Sequence, residues 1–221
     1  MNQLRTAYRI GLLSGDGVGL EVVPAAAVVL AAGKGTRMRS ELPKVLHPLL
    51  GAPLLEHAIV AAESLGPARC VVVVGYCHEL VREAFAEREV EGEKIVWAHQ
   101  AEQLGTGHAA QVGVEAVSEL LDRHSGAGVL ILNGDLPLLS PETLAGLRQL
   151  HEREDAAVTV LVCEKDDPYG YGRIIRDEAG RVVDIVEEKD ADEATRRRRE
   201  INVGTYLFKA AAFRKYVEKI D

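Results

Sequence analysis

Short apolar runs recur along the chain, separated by stretches with the spacing of amphipathic helices. Runs at 8–13, 27–30, 70–74, 94–97, 128–132, 157–163 and 204–208 are candidate strands. The central ones are continuous rather than alternating, the pattern of parallel strands covered on both faces. Between them, Leu54, Leu55, Ala58, Ile59, Ala62 and Leu65 form one stripe at helical spacing, and Ala110, Val114, Val117 and Leu121 form another. Ser140-Pro141-Glu142-Thr143 reads as an N-cap, a first-turn proline and an acidic first turn. The helix it opens carries Leu144, Leu147 and His151 inward. After Cys163 the pattern changes, and 173–176 and 181–186 flank a Gly-containing turn, as in a β-hairpin. The alternation predicts an α/β fold: a three-layer, open, mostly parallel sheet with helices on both faces, plus a hairpin subregion near the C-terminus. Ligands of such sheets bind at the carboxyl ends of the strands, which points to the loops after Leu30, Trp97 and Leu132.

Composition narrows the function classes. The 221 residues suit one large domain, or one and a half. With 26 Lys+Arg against 34 Asp+Glu, the net charge is −8, and no long basic block offers a surface for nucleic acid or anionic membrane. No apolar run approaches the roughly 20 residues of a membrane span, and the amino end lacks the apolar core of a secretory signal. Cys70, Cys77 and Cys163 are too few and scattered for a disulfide framework, so a cytoplasmic protein with reduced thiols is expected. Cys70, Cys77 and His78 lack paired zinc spacing, and the apolar run beside them favours a buried structural thiol. Trp97 is expected to pack on the sheet. The run Arg196–Arg199 follows Asp190, Asp192 and Glu193, and reads as a short exposed helix matched to its dipole rather than as an anion site.

Three loops carry candidate chemistry. After the second strand, Leu30-Ala-Ala-Gly-Lys-Gly-Thr-Arg-Met38 leads to Pro43-Lys44. Glycines directly after a buried strand let backbone N–H groups approach a phosphate, and Lys34, Arg37 and Lys44 put three cations in one loop of an acidic chain. The spacing is neither a P-loop nor the dinucleotide fingerprint. A tight strand-to-helix turn with solvated lysines is the plainer alternative. In the second loop, Gly105-Thr106-Gly107 opens a helix whose free N–H groups face the loop, while Gln100 and Gln103 offer amides that can donate and accept, as a pyrimidine edge requires. In the third, Asn133-Gly134-Asp135 ends a buried strand. A lone carboxylate there is a hard oxygen ligand suited to Mg²⁺, the alternative being a turn aspartate.

Together these segments resemble nucleotide-sugar pyrophosphorylases. The similarity is closest to the uridylyltransferase domain of bacterial bifunctional N-acetylglucosamine-1-phosphate uridylyltransferase/glucosamine-1-phosphate acetyltransferases. Besides the first loop, the matching segments run in order: Gln100-Ala-Glu-Gln-Leu-Gly-Thr-Gly-His108, then Gly134-Asp135-Leu-Pro-Leu138. Gly170-Tyr-Gly-Arg-Ile174 with Val186-Glu187-Glu-Lys-Asp-Ala191 comes next, and Glu200-Ile-Asn-Val-Gly204 last. The match spans roughly residues 26–221.

The resemblance implies a nucleotide-diphospho-sugar transferase (Rossmann-like) fold and the joining of UTP to N-acetylglucosamine 1-phosphate, with release of pyrophosphate. It implies substrate contacts from Leu30, Ala31, Ala32, Gly33, Lys44, Asn133 and Gly134. Gln100, Gln103, Gly105 and Thr106 would hold the uracil, and Gly172, Glu187 and Asn202 the sugar and ribose. Asp135 would bind Mg²⁺, and Arg37 and Lys44 would act on the phosphates. The attacking sugar phosphate is largely ionised at neutral pH because its second pKa is about 6, so no general base is nominated. The product would feed peptidoglycan and lipopolysaccharide precursors.

Two departures stand out. Residues 8–25 resemble the opening of the isopropylmalate/isocitrate dehydrogenase family, with Leu20 where that family has proline. Residues 1–25 are therefore expected to be a foreign appendage, poorly ordered or packed at a sheet edge, the alternative being a real extra strand at 8–13. The second metal ligand and the hexapeptide-repeat helix of the family would lie beyond Asp221. Weak uridylyl transfer, no acetyl transfer and a monomer or weak oligomer are expected accordingly. Other readings are a nucleotidyltransferase with another base or sugar, and a nucleotide-binding module without turnover.

Overall fold

A computed structural model describes residues 8–13, 24–35, 38–90, 95–123 and 126–217. The strands are β1 (Tyr8–Leu13), β2 (Pro24–Ala31), β3 (Pro48–Leu49), β4 (Ala52–Pro53), β5 (Arg69–Val74), β6 (Ile95–His99), β7 (Gly128–Asn133), β8 (Val158–Glu164), β9 (Arg173–Arg176), β10 (Val182–Val186) and β11 (Glu200–Lys209). The helices are α1 (Leu54–Glu63), α2 (His78–Ala84), α3 (Ala86–Val90), α4 (Thr106–Glu115), α5 (Ser118–Arg123), α6 (Pro141–Arg153), α7 (Glu193–Arg196) and α8 (Ala210–Val217).

The main sheet runs in the order β1-β8-β11-β7-β2-β5-β6, with the β9–β10 hairpin joined to β11. Strands β7, β2, β5 and β6 are parallel. Strand β11 lies antiparallel between β7 and β8, so β8 again points along β7. The expected mostly parallel, helix-covered sheet is therefore present, with an antiparallel arm. At its edge β1 pairs with β8 over the register Tyr8↔Cys163 to Leu13↔Val158. Within residues 1–25, 8–13 form a strand, and it lies at the sheet edge.

Continuous apolar runs are buried on both faces, as the pattern demands. Ala27, Val29 and Ala31 of β2 join a core beneath α1 and α6, while Ala26 and Val28 join a second beneath α4 and α8. Helix α4 lies so close that a Cβ on Gly113 would come within 2.4 Å of Val28 Cγ1. Helix α6 starts as expected: Ser140 Oγ accepts from Thr143 N at 3.2 Å, and Leu144, Leu147 and His151 are buried. His151 Nδ1 lies 2.7 Å from Thr159 Oγ1, and burial lowers its pKa to about 4. Trp97 packs edge-on against Phe85, ring centroids 6.2 Å apart.

The structure differs from expectation at three places. The stripe from Ala110 to Leu121 is divided between α4 and α5, because the ladder breaks near Ala116 and both pieces still bury their apolar side chains. Strand β11 begins at Glu200, ahead of the expected 204, because a bulge between Asn202 and Tyr206 interrupts its alternation. Cys70 is buried, but Cys77 is half-buried in a left-handed conformation before α2. The short exposed helix expected from the charges at 190–199 is α7, capped by Asp192 on Thr195 N.

Candidate active site

Parallel strands β2 and β7 are neighbours, yet α1 leads from β2 toward β5 on the other side. The order therefore reverses between β2 and β7, and a crevice opens beyond their carboxyl ends. A cavity of about 580 Å³ occupies that crevice.

The floor is the loop after β2, where Leu30, Ala31, Ala32 and Gly33 line the cavity. Gly35 has φ +60, and a Cβ there would fall 2.6 Å from Lys44 Cβ. Both facts require glycine, and the close approach holds the Lys44 stem against the loop. Met38 N donates to Gly35 O at 2.9 Å, closing the turn. Arg37, expected on the phosphates, lies outside the described residues.

Opposite stands the end of β7. Gly134 N donates to Leu30 O at 2.9 Å, locking this loop to β2, and a Cβ on Gly134 would press on Leu30 O and Leu55 Cδ1, both at 3.1 Å. That contact places Asn133 and Asp135 at the cavity wall. Lys44 Nζ forms an ion pair with Asp135 Oδ2, the two side chains 40% and 26% exposed.

The third wall is the 100–106 loop. Gln100 is 3% exposed, with its N donating to Val74 O at 2.8 Å and its Nε2 to Gly105 O at 3.1 Å. Its amide nitrogen is also 3.1 Å from His108 Nδ1. Gln103 Nε2 donates to Ala32 O at 3.0 Å, tying this loop to the floor. Gly105, with φ +107, leads into α4 without a side-chain cap, so the first N–H groups of α4 are left to the cavity that Thr106 lines.

Gly172, Glu187 and Asn202 do not line this cavity but continue its wall. A Cβ on Gly204 would lie 2.2 Å from Asn133 Nδ2, so the β11 bulge rests directly on the β7 loop. Gly204 N donates to Asn202 Oδ1 at 3.0 Å, and Asn202 N to Gly172 O at 2.9 Å. A Cβ on Gly172 would meet Glu187 Oε1 at 2.9 Å. Asn202 Nδ2 contacts the Tyr206 hydroxyl at 2.6 Å, and burial pushes that phenol's pKa up.

Sequence reasoning missed Met38, Val45 and Ala109 in the cavity, and Arg173, Glu188, Gly204 and Tyr206 beside Gly172, Glu187 and Asn202. Gly204 had a readable signal, a glycine two residues after Asn202 within an apolar strand pattern. A second cavity of about 340 Å³ lies between the hairpin, β11 and α8; its largely apolar lining includes Val160, Phe208 and Phe213.

The family model for the MobA-like NTP transferase domain matches residues 27–200. The chain belongs to the MobA-like NTP transferase family. Within it, this NTP transferase domain is 50% identical over 186 residues to the bifunctional protein GlmU of Geobacter metallireducens, covering 84% of this chain and 37% of that protein. GlmU of Cutibacterium acnes is 47% identical over 197 residues, covering 89% of this chain and 45% of that protein. The chain thus spans less than half the length of these relatives. They bear out the resemblance drawn from the five segments. A crystal structure of UDP-glucose pyrophosphorylase complexed with UDP-glucose shares the fold, with TM-score 0.66, 18% identity and coverage of 89% and 80%. HddC from Yersinia pseudotuberculosis does so with TM-score 0.59, 22% identity and coverage of 88% and 79%.

Proposed function

We propose that this domain transfers a uridylyl group from UTP to N-acetyl-α-D-glucosamine 1-phosphate, forming UDP-N-acetylglucosamine and pyrophosphate. The observation that carries the reading is the Lys44–Asp135 pair, set between a helix N-terminus and a glycine loop at the switch point of the sheet. That setting suits a triphosphate, and the GlmU relatives and the five matching segments direct it to uridine and an N-acetylated sugar.

The chemistry is alignment and charge neutralisation. The acceptor phosphate arrives ionised at neutral pH, its second pKa being about 6. What remains is to hold mutually repelling anions in line, which electrostatic contacts accomplish in a partly desolvated cleft. The uracil sits against the 100–106 loop: Gln100 is fixed by Gly105 O, and Gln103 keeps its amide oxygen for the base while its nitrogen holds Ala32. Phosphates lie over Gly33 and the α4 N-terminus. Lys44, held at its stem by Gly35, leaves Asp135 and turns its ammonium to the phosphates. Arg37 joins it, a role that rests on the resemblance alone.

A divalent metal fits this site. No group of three or more His, Cys, Asp or Glu side chains converges for a metal among the described residues. Asp135, a carboxylate on the cavity wall, suits a hard cation that takes its other ligands from water and substrate phosphate, as Mg²⁺ does. Lys44 already stands there as a cation on the same carboxylate. Bound Mg²⁺ would neutralise the phosphates in the transition state.

Gly172, Glu187 and Asn202 form the sugar wall in this reading. Residues 26–221 make up the nucleotidyltransferase domain, and residues 1–25 are an extension whose strand β1 caps the β8 edge. The test is product analysis after incubation with UTP, N-acetylglucosamine 1-phosphate and Mg²⁺. UDP-N-acetylglucosamine should accumulate with pyrophosphate in equal amounts; UTP binding without product would overturn the reading in favour of a binding module.

A further inference from the structure

Arg173 is 1% exposed, and among the described residues it is the one Lys, Arg, Asp or Glu that is fully buried. A buried guanidinium is costly unless its donors are matched, and here four contacts do so. Nε donates to Arg198 O at 3.1 Å and Nη1 to Tyr171 O. Nη2 donates to Glu188 Oε2 at 2.7 Å and to Arg196 O at 3.3 Å. The same Glu188 oxygen accepts from Gly170 N at 3.2 Å, and the Arg173 bond holds the Glu188 carboxyl below its usual pKa.

These contacts tie the two open ends of the β9–β10 hairpin to a third segment at the end of α7. Residues 170–172 precede β9, 187–188 follow β10, and 196–198 run from the last residue of α7. Two of them form the sugar wall, because Gly172 adjoins Arg173, Glu187 adjoins Glu188, and the Glu187 carboxylate rests on the Gly172 α-carbon. The β9–β10 ladder, in which Arg173 pairs with Val186, brings these two groups side by side, and the planar Arg173 fork braces them from behind in a way an ammonium cannot reproduce.

Resting on the proposed acceptor site, we infer that Arg173 is a positioning residue that sets selectivity for the acceptor sugar. It touches no substrate; it fixes the spacing between the Gly172 backbone and Glu187, and so decides which sugar substituents fit. The neighbouring Arg176 provides an internal control. It lies on the same strand and makes a two-pronged pair with Glu200, at 2.8 and 2.6 Å, without touching either loop of the wall.

The experiment compares Arg173→Lys with Arg176→Lys. The readouts are kcat/KM for N-acetylglucosamine 1-phosphate and glucose 1-phosphate, UTP affinity by calorimetry, and amide exchange in the free protein. Arg173→Lys should reduce the preference for the acetylated sugar by about tenfold or more, as small misplacements in a binding wall do, with UTP affinity changed less than about twofold. Exchange at Gly170 N and Asn202 N should accelerate, while Gln100 N stays protected. Arg176→Lys should leave the preference intact. An unchanged preference in Arg173→Lys, or equal losses in both variants, overturns the inference. If the wild type turns over neither sugar phosphate, the proposed acceptor is wrong, and the exchange data decide alone: unaltered protection at Gly170 and Asn202 then refutes the clamp.

Discussion

Replacing Lys44 with methionine separates the chemical and structural roles of this residue. Methionine keeps an unbranched stem against Gly35, where a Cβ would lie 2.6 Å from Lys44 Cβ, and deletes the charge. The ion pair with Asp135 joins side chains 40% and 26% exposed, so solvent screening limits its contribution to about 0–1 kcal/mol. For a chain of this size that is a Tm change of at most about 4 °C. Charge stabilisation in the transition state is a different quantity. Removing one preorganised electrostatic contact costs about 3–4 kcal/mol there, or two to three powers of ten in turnover. Initial rates of pyrophosphate release and a melting curve on the same sample measure both. We expect at least a hundredfold loss of kcat with a nearly unchanged melt. Turnover above about one-tenth of wild type would refute the phosphate role, since that corresponds to under about 1.4 kcal/mol. A melt lowered by more than about 10 °C would refute the surface character of the pair.

Other predictions follow from neighbouring features. Asp135→Asn should lose at least about a hundredfold in turnover and show a weakened dependence on Mg²⁺ concentration in UTP-binding calorimetry. Gly204→Ala must place a Cβ 2.2 Å from Asn133 Nδ2 at φ +80, which should cost about 1–3 kcal/mol in urea unfolding and raise KM for the sugar phosphate. His151 is neutral when folded, its pKa lowered from 6.5 to about 4 by burial, so the unfolded chain binds the extra proton as pH falls. Stability should decline from about pH 6.5 and level off below about pH 4, a loss of about 3 kcal/mol that His151→Gln removes from the acid limb.

Much of this arrangement was legible in the sequence because the relevant signals are local. A strand buried on both faces has no polar residue to hide, so 27–30, 70–74 and 128–132 stood out, and Ser140-Pro141 marked a helix start. The cavity was legible in its place, because glycines and charges follow directly on apolar strands, while the choice between a phosphate site and a plain turn rested on the resemblance. Its second wall was less so. Gly172, Glu187 and Asn202 came from resemblance, and the contacts that unite them run through Gly204 on Asn133 and through Arg173, all between distant segments. An arginine at the start of a hairpin strand carries no signal of burial, and nothing local reveals that Arg173 is enclosed by carbonyls of Arg196 and Arg198, at the end of α7 and just past it. The division between α4 and α5 was invisible because the apolar spacing runs on past Ala116 with neither glycine nor proline to mark the break.

The central claim concerns which nucleotide and which acceptor this site joins. Pyrophosphate release measured with UTP, dTTP, CTP and GTP, each with and without N-acetylglucosamine 1-phosphate, tests it most directly. The account predicts release with UTP that depends on the sugar phosphate, and little with the other nucleotides. Equal or greater release with another nucleotide, or release from UTP that is indifferent to N-acetylglucosamine 1-phosphate, would contradict it.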